Sequence, residues 1–235
     1  MSSKYTAVII EPRQHKALQF VLNNFLENLN DEWNIIVFHG KNNYSYLLNI
    51  IETSLKNYEK RIKLINLGID NLTLNDYNNL LKSSKFYNFI PTETFMIFQT
   101  DTMIIPKYKH YINYFLNYDY VGSPWNNKLV GNGGLSIRKK SKMLKIINYE
   151  DKKSRFYLLD KTKTLTNKNI NEDIFFSLNK RIPLLKPSFE LSKLFGMEKI
   201  FSINGSFGIH KAWTYIDIEL LNTHCNDILT LKNLQ

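Results

Sequence analysis

The chain has 235 residues, of which 43% are hydrophobic and 14% aromatic. That length and apolar share suffice for a sizeable core in one domain, and they exclude a largely disordered polypeptide. A formal net charge of +10 suggests an anionic partner: a nucleoside diphosphate, a nucleic acid or an anionic lipid.

The lysines are scattered rather than gathered in an arm, and a Lys/Asn/Ile-rich coding bias explains the excess more simply. With Cys225 as the only cysteine, no internal disulfide can form, which fits a reducing compartment. MSSKYTAVII at the start is too short and polar for a signal peptide. No apolar run approaches the roughly 18 residues of a membrane helix. A soluble, cytoplasmic protein without a membrane span is therefore expected.

In chain order, YTAVII (5–10) reads as a first strand ending at Glu11-Pro12-Arg13. Residues 15–29 carry Leu18, Val21, Leu22, Phe25, Leu26 and Leu29 at helical spacing. WNIIVFHG (33–40) is a second strand closing on Gly40, 44–57 a helix and 61–68 a third strand. A helix over 73–90 is expected to start at a Thr73 cap and to break near Ser83-Ser84. The fourth strand, 95–101, is a continuous apolar run of the kind found in a strand covered on both faces. Strands alternating with helices over a hundred residues predict a parallel α/β sheet.

The second half begins with YDYVGSPW (118–125) and a glycine-rich turn, Gly131-Asn132-Gly133-Gly134. A helix over 139–147, a polar surface loop over 150–169, a helix over 171–181 and one closing helix over 215–232 follow. No internal repeat and no linker divides the chain.

Four clusters carry chemistry. Asp101 lies between the apolar runs 95–98 and 103–105, where burying a carboxylate is costly unless a buried Lys or Arg, or a divalent cation, pairs with it. In open α/β sheets ligands bind at the carboxyl ends of strands, which is where Asp101 is expected. The turn 131–134 permits close backbone approach to a ligand, or simply makes a tight turn. It is not a phosphate loop, because no Lys-Ser/Thr follows. Glu172-Asp173 at a helix start either complements the helix dipole or supplies a reacting carboxylate. Gly208-Ile209-His210-Lys211-Ala212-Trp213 suits anion or metal handling, and Trp125 suits either a core or a sugar face. There is no nucleophile-triad spacing and no zinc-type Cys/His spacing.

Taken in order, these motifs resemble a known family. They are Glu11-Pro12-Arg13, Phe38-His39-Gly40, Phe98-Gln99-Thr100-Asp101, 118–125, Gly131-Asn132-Gly133-Gly134-Leu135-Ser136, Glu172-Asp173 and 208–213. The family is the uncharacterised GT-A-like glycosyltransferase domain of large DNA viruses and microbial eukaryotes. The resemblance covers roughly residues 5–214. It implies one GT-A-like (Rossmann-like) α/β/α domain spanning 1–235, with a nucleotide-binding half to about 105. An acceptor and catalytic half to about 214 and a C-terminal helix follow.

By the same resemblance, Glu11, Arg13, Gly40, Gln99, Thr100, Asp101 and Lys211 face a nucleotide-sugar donor, UDP- or GDP-linked. Asp101 and His210 hold Mn2+ or Mg2+. Trp125, Asn132, Gly133 and Gly134 face sugar or acceptor, a glycan or glycoprotein. Asp173 is the general base of an inverting transfer, with Glu172 as the alternative; the location is the host cytoplasm if the chain is viral. Gln99 departs from the family's Asp-X-Asp pattern, which weakens the metal site and keeps open an inactive nucleotide-sugar binder. A basic RNA-binding protein is the more distant rival, lacking both an Arg-rich arm and a recognisable RNA motif.

Overall fold

The computed structural model describes residues 3–126, 128–154 and 170–235. Its central sheet has the strand order β3-β2-β1-β4-β7-β6. The strands are β1 (Tyr5–Ile10), β2 (Trp33–His39), β3 (Ile62–Asn66), β4 (Thr94–Phe98), β6 (Tyr120–Gly122) and β7 (Ser136–Lys139). Pairing is parallel from β3 across to β4 and antiparallel at β7 and β6. The chain winds outward from β1 to β3 and then returns to add β4 on the other side of β1. The crevice between the carboxyl ends of β1 and β4 is thus a topological switch point, where sheets of this kind bind ligands.

Period-2 alternation sends each strand's side chains to two separate cores. Ala7, Ile9, Ile35, Val37, Met96 and Phe98 join one core with α1 (Leu18–Asn28) and α2 (Tyr44–Thr53). Val8, Ile10, Ile36, Phe38, Phe95 and Ile97 join the other. That second core takes in α3 (Leu74–Leu81), α4 (Ser84–Tyr87), α5 (Lys140–Ser154) and α6 (Glu172–Ser177). Every residue of β1 and β4 is buried, so both faces are covered and the expected α/β/α sandwich is present.

A second, three-stranded sheet is ordered β5-β9-β8, from β5 (Thr102–Ile104), β9 (Gly208–His210) and β8 (Gly196–Met197). The short helix α7 (Phe189–Ser192) precedes it. Asn24 of α1 covers the free edge of β5: its amide donates to the Ile104 carbonyl (3.0 Å) and accepts the Ile104 N–H (2.7 Å). One side chain thereby substitutes for a neighbouring strand and fastens the small sheet to the helical layer.

Several expected elements end differently. The strand placed at 95–101 stops at Phe98, because Gln99 to Thr102 form a turn. The Gln99 carbonyl accepts the Thr102 N–H (3.1 Å) and the Thr102 hydroxyl (2.6 Å). The 73–90 helix, by contrast, breaks into α3 and α4 just before Ser84 and starts at Thr73 as expected, Thr73 capping α3 in a reciprocal capping box with Asp76. The single closing helix over 215–232 is instead two helices, α8 (Ile218–Asn222) and α9 (Ile228–Asn233). Asp217 caps the first through the amides of Glu219 and Leu220. The surface loop assigned to 150–169 begins within α5, and its remainder lies outside the described residues.

Candidate active site

The switch point opens as a cleft of about 250 Å3 lined by Ile10 to Arg13, Asn71 to Leu74, Tyr77 and Gln99 to Asp101. Its β1 wall is held from behind. Buried Asn43 donates to the carbonyls of Glu11 (2.8 Å) and Arg13 (2.9 Å) and accepts the Gly40 N–H (2.9 Å). Within this loop the Glu11 carboxylate takes the Arg13 guanidinium through two bonds of 2.8 Å. Arg13 remains 54% exposed in its side chain, leaving part of its fork directed to solvent.

On the β4 wall, the Gln99–Thr102 turn lifts Asp101 off the end of the sheet. Strand β9 pairs with β5, setting Thr102 opposite His210, and the Lys211 N–H continues the ladder to the Asp101 carbonyl (2.9 Å). His210 is therefore delivered beside Asp101 by backbone pairing. Its Nε2 lies 3.5 Å from Asp101 Oδ1 and 3.2 Å from Gln99 Oε1. The Gln99 amide nitrogen donates to the Tyr77 hydroxyl (3.0 Å), turning the oxygen toward His210. On the other side of the ring, Nδ1 stands 3.6 Å from Glu198 Oε1.

Burial holds the His210 imidazole below its ordinary value, with Asp101 pulling the other way; the ring is neutral at pH 7. Burial likewise pushes the Glu198 carboxyl up, to about 7.

The glycine turn meets this cluster. A Cβ on Gly134 would fall 2.2 Å from His210 Nε2, and one on Gly133 would fall 2.3 Å from Glu172 Oε1 and 2.9 Å from Asp173 Cβ. Two adjacent glycines therefore let His210 and the start of α6 both pack closely against one dipeptide. Behind them, fully buried Arg138 grips Glu172 with two hydrogen bonds, the longer 2.9 Å, and reaches the Gly133 carbonyl at 3.4 Å. The rings of Tyr120 and Phe176 flank the guanidinium.

Glu172 is consequently committed to Arg138 and is not free to act as a base, which corrects its place as the alternative to Asp173. Asp173 itself is half-buried, and its carboxyl is raised by burial and then by the neighbouring Glu172 charge. That shift brings it nearer the working range of a proton acceptor.

The remaining expected residues land as follows. Thr100 lines the cleft, and Lys211 is exposed beside it in a left-handed backbone conformation (φ 47°). Gly40 is not part of the cleft lining; its missing side chain makes room for the Pro12 and Ile69 carbonyls. Asn132 is buried and spends its side-chain oxygen on the Gly134 N–H (3.1 Å), so it shapes the turn rather than facing an acceptor. Trp125 is partly buried at the base of a small loop closed by the Trp125 N–H to Leu129 carbonyl bond (2.8 Å).

A divalent cation has a physical place here. Asp101 Oδ1 is buried without a hydrogen-bond partner. At 3.5 Å from His210 Nε2 it is beyond hydrogen-bond length, yet one Mg2+-sized ion with bonds of about 2.0–2.1 Å can touch both atoms. Among the described residues no group of three His, Cys, Asp or Glu forms a complete cage. Ions of this kind are usually held by one or two protein ligands plus substrate phosphates.

Comparison with known proteins bears on the fold and the family. The glycosyltransferase GlyE of Streptococcus pneumoniae, solved without ligand, matches 98% of this chain and 62% of its own, with TM-score 0.54 at 10% identity. TarS of S. aureus, in complex with UDP-GlcNAc, matches 79% of this chain and 56% of its own, with TM-score 0.46 at 11% identity. The mannosyltransferase PcManGT of Pyrobaculum calidifontis, in complex with GDP-Man and Mn2+, matches 62% and 47%, with TM-score 0.46 at 10% identity. The chain thus spans about half to three-fifths of these solved structures; the likeness to GlyE gives its fold, that of GT-A glycosyltransferases. No curated protein matches it by sequence. The profile described as "Protein of unknown function (DUF5672)" matches residues 61–210. The chain belongs to that family.

The DUF5672 match runs from the start of β3 to His210. It takes in the Gln99–Asp101 turn, the glycine turn, Arg138, Glu172, Asp173 and Glu198, and leaves out the Glu11–Arg13 wall. Four contributors to the site were missed by sequence reasoning: Asn43, Tyr77, Arg138 and Glu198. Arg138 carried a usable signal, since a charge in Leu135-Ser136-Ile137-Arg138 interrupts a short apolar strand. Glu198, between Met197 and Lys199, reads as an ordinary surface acid, and only the fold reveals its burial.

Proposed function

We propose that this DUF5672 chain is a nucleotide-sugar-dependent glycosyltransferase, moving one sugar from a UDP- or GDP-linked donor to a glycan or glycoprotein acceptor. The observation that carries this reading is the placement of Asp101 and His210 at the mouth of the β1–β4 switch point. Asp173 packs against the same Gly133-Gly134 dipeptide as His210.

The residues divide the work by position. The cleft over Tyr77, Leu72 and Leu74 receives the nucleoside, and Gln99 and Glu11 offer polar atoms at its rim. Asp101 and His210 are the residues that would hold a divalent cation. Mn2+ or Mg2+ bound there would supply positive charge against the departing diphosphate. The exposed ammonium of Lys211 and the solvent-facing part of Arg13 add fixed positive charge on the same side.

Asp173 accepts the proton of the acceptor hydroxyl as that oxygen attacks the anomeric carbon. Attack opposite the leaving diphosphate inverts the configuration. The walls hold donor and acceptor at reacting distance and so supply much of the rate by proximity.

A thermal-unfolding screen of UDP- and GDP-sugars, with and without Mn2+, tests the reading. A donor bound only by the folded state raises Tm, in proportion to RT ln(1 + [L]/Kd). Cation-dependent stabilisation by a nucleotide sugar, followed by transfer to an acceptor, is expected. Stabilisation without transfer to any acceptor indicates a binder only. Binding to RNA that nucleotide sugars do not displace overturns the proposal.

A further inference from the structure

His210 is enclosed on both ring nitrogens by oxygen acceptors. Nε2 faces Gln99 Oε1 at 3.2 Å and Asp101 Oδ1 at 3.5 Å, and Nδ1 faces Glu198 Oε1 at 3.6 Å. His210 and Glu198 are 8% and 7% exposed, and His210 Nδ1 and Glu198 Oε2 have no hydrogen-bond partner. Buried polar atoms left unpaired are costly, about 1–3 kcal/mol each, so an unpartnered atom on each of two neighbouring buried side chains calls for an explanation. In the ligand-free geometry the contact to the Gln99 carbonyl oxygen places the proton on Nε2, which leaves Nδ1 a bare lone pair. The opposite tautomer turns Nδ1–H toward the Glu198 carboxylate and leaves the Nε2 lone pair facing the Gln99 and Asp101 oxygens, an arrangement that only a cation on that side would satisfy.

We infer that Glu198 is the positioning residue of His210, accepting Nδ1–H and so presenting the Nε2 lone pair to a cation shared with Asp101. The inference rests on the cation-dependent reading given above. Glu198 does not touch the donor; it acts through the imidazole, as carboxylates behind metal-bound histidines do in general. Its location follows from the small sheet. Strand β8 runs parallel to β9 with Met197 opposite Ile209, so the next residues along the two strands, Glu198 and His210, stand side by side. Gly134, with no side chain, leaves room for the His210 ring.

The test measures Mn2+ binding to the intact protein by electron paramagnetic resonance, in the presence of UDP or GDP. It also reads the His210 tautomer by 15N NMR with diamagnetic Mg2+. Glu198→Ala is expected to weaken Mn2+ binding by about 10- to 100-fold. Glu198→Gln, whose amide oxygen still accepts Nδ1–H, is expected to stay within a few-fold of the parent. The parent's His210 is expected to change from Nε2-protonated to Nδ1-protonated on loading. Mn2+ affinity unchanged in Glu198→Ala overturns the inference. Should that variant not fold, an Nε2-protonated His210 in the Mg2+-loaded parent overturns it alone. A parent that binds no Mn2+ with either nucleotide overturns the cation reading itself, a failure visible before any variant is made.

Discussion

Arg138 and Glu172, 34 positions apart, meet in the interior as a two-bonded ion pair with side chains 0% and 6% exposed. The residue next to Glu172 is Asp173, whose carboxylate is not part of that pair. The pair also reaches the Gly133 carbonyl, so one guanidinium fixes both the start of α6 and the turn that lies against His210. Burial opposes the charge on Arg138, and the Glu172 carboxylate more than offsets it.

Breaking that pair strands a buried charge. Arg138→Met or Glu172→Gln should destabilise the protein by about 3–5 kcal/mol. For a chain of this length that lowers Tm by on the order of ten degrees. The double substitution should cost less than the sum of the two. Additive losses in a double-mutant cycle would show that the two side chains act independently.

Asp173→Asn removes a proton acceptor but little bulk. Turnover should fall roughly a hundredfold or more, with donor affinity nearly unchanged. NMR of the first-formed product should show inversion at the anomeric carbon. Retained configuration, or full activity in Asp173→Asn, excludes this role.

Asp101→Asn keeps the shape of the turn and removes its anionic oxygen. Mn2+-supported donor binding should weaken by on the order of tenfold or more, while binding of the plain nucleoside holds. Calorimetric titration with both ligands separates the two effects. Equal affinity for donor with Mn2+ in variant and parent argues that Asp101 is not a ligand.

Gly134→Ala places a methyl group 2.2 Å from His210 Nε2. The ring must shift, at a cost of about 1–3 kcal/mol for overpacking. Cation-dependent donor binding should drop further than stability does. Donor binding equal to the parent's would show that the close approach is incidental.

The pH dependence follows from Glu198, whose carboxyl is raised from 4.5 to about 7 by burial, with Asp173 and Asp101 adding and Lys199 and Lys211 opposing. Because the unfolded state ionises first, this group's contribution to stability falls as pH rises from about 4.5 to 7. The resulting penalty is complete above that window. His210, held low by burial, has the opposite trend, so the comparison must be variant against parent. Glu198→Gln should stabilise the ligand-free protein at pH 8 by one to a few kcal/mol and leave it nearly unchanged at pH 4.5. A Tm difference independent of pH rejects the burial of an ionisable Glu198.

Strands β1, β2 and β4 were legible because each is buried on both faces and so reads as an unbroken apolar run: Val8-Ile9-Ile10, Ile35-Ile36-Val37-Phe38, Phe95-Met96-Ile97-Phe98. Thr73 was legible as a cap because its chemistry is local, with Asp76 three residues on. Asp101 stood out as a charge between apolar runs. What escaped was non-local. Nothing near Glu198 in the chain announces that β8 will lie beside β9, and nothing near Glu172 announces Arg138. The closing helix was misjudged for a different reason. Apolar residues recur at helical spacing on both sides of the polar stretch Thr223–Asp227, where α8 has ended and α9 has not begun.

The pairing of Thr102 with His210 also predicts an order of events in folding. It closes a loop of roughly a hundred residues, whose chain-length term alone costs about 4 kcal/mol of entropy. The β1–β4 nucleus needs no part of that loop. During synthesis the nucleoside cleft can therefore exist while Asp101 still has no histidine beside it. Sugar-donor chemistry would then switch on in one step, when β9 docks. A cation bridging Asp101 and His210 would act as a clasp on that last strand. Hydrogen exchange should report this as slower opening of Ile209 and His210 amides when nucleotide and Mg2+ are present, with the amides of β1 unaffected.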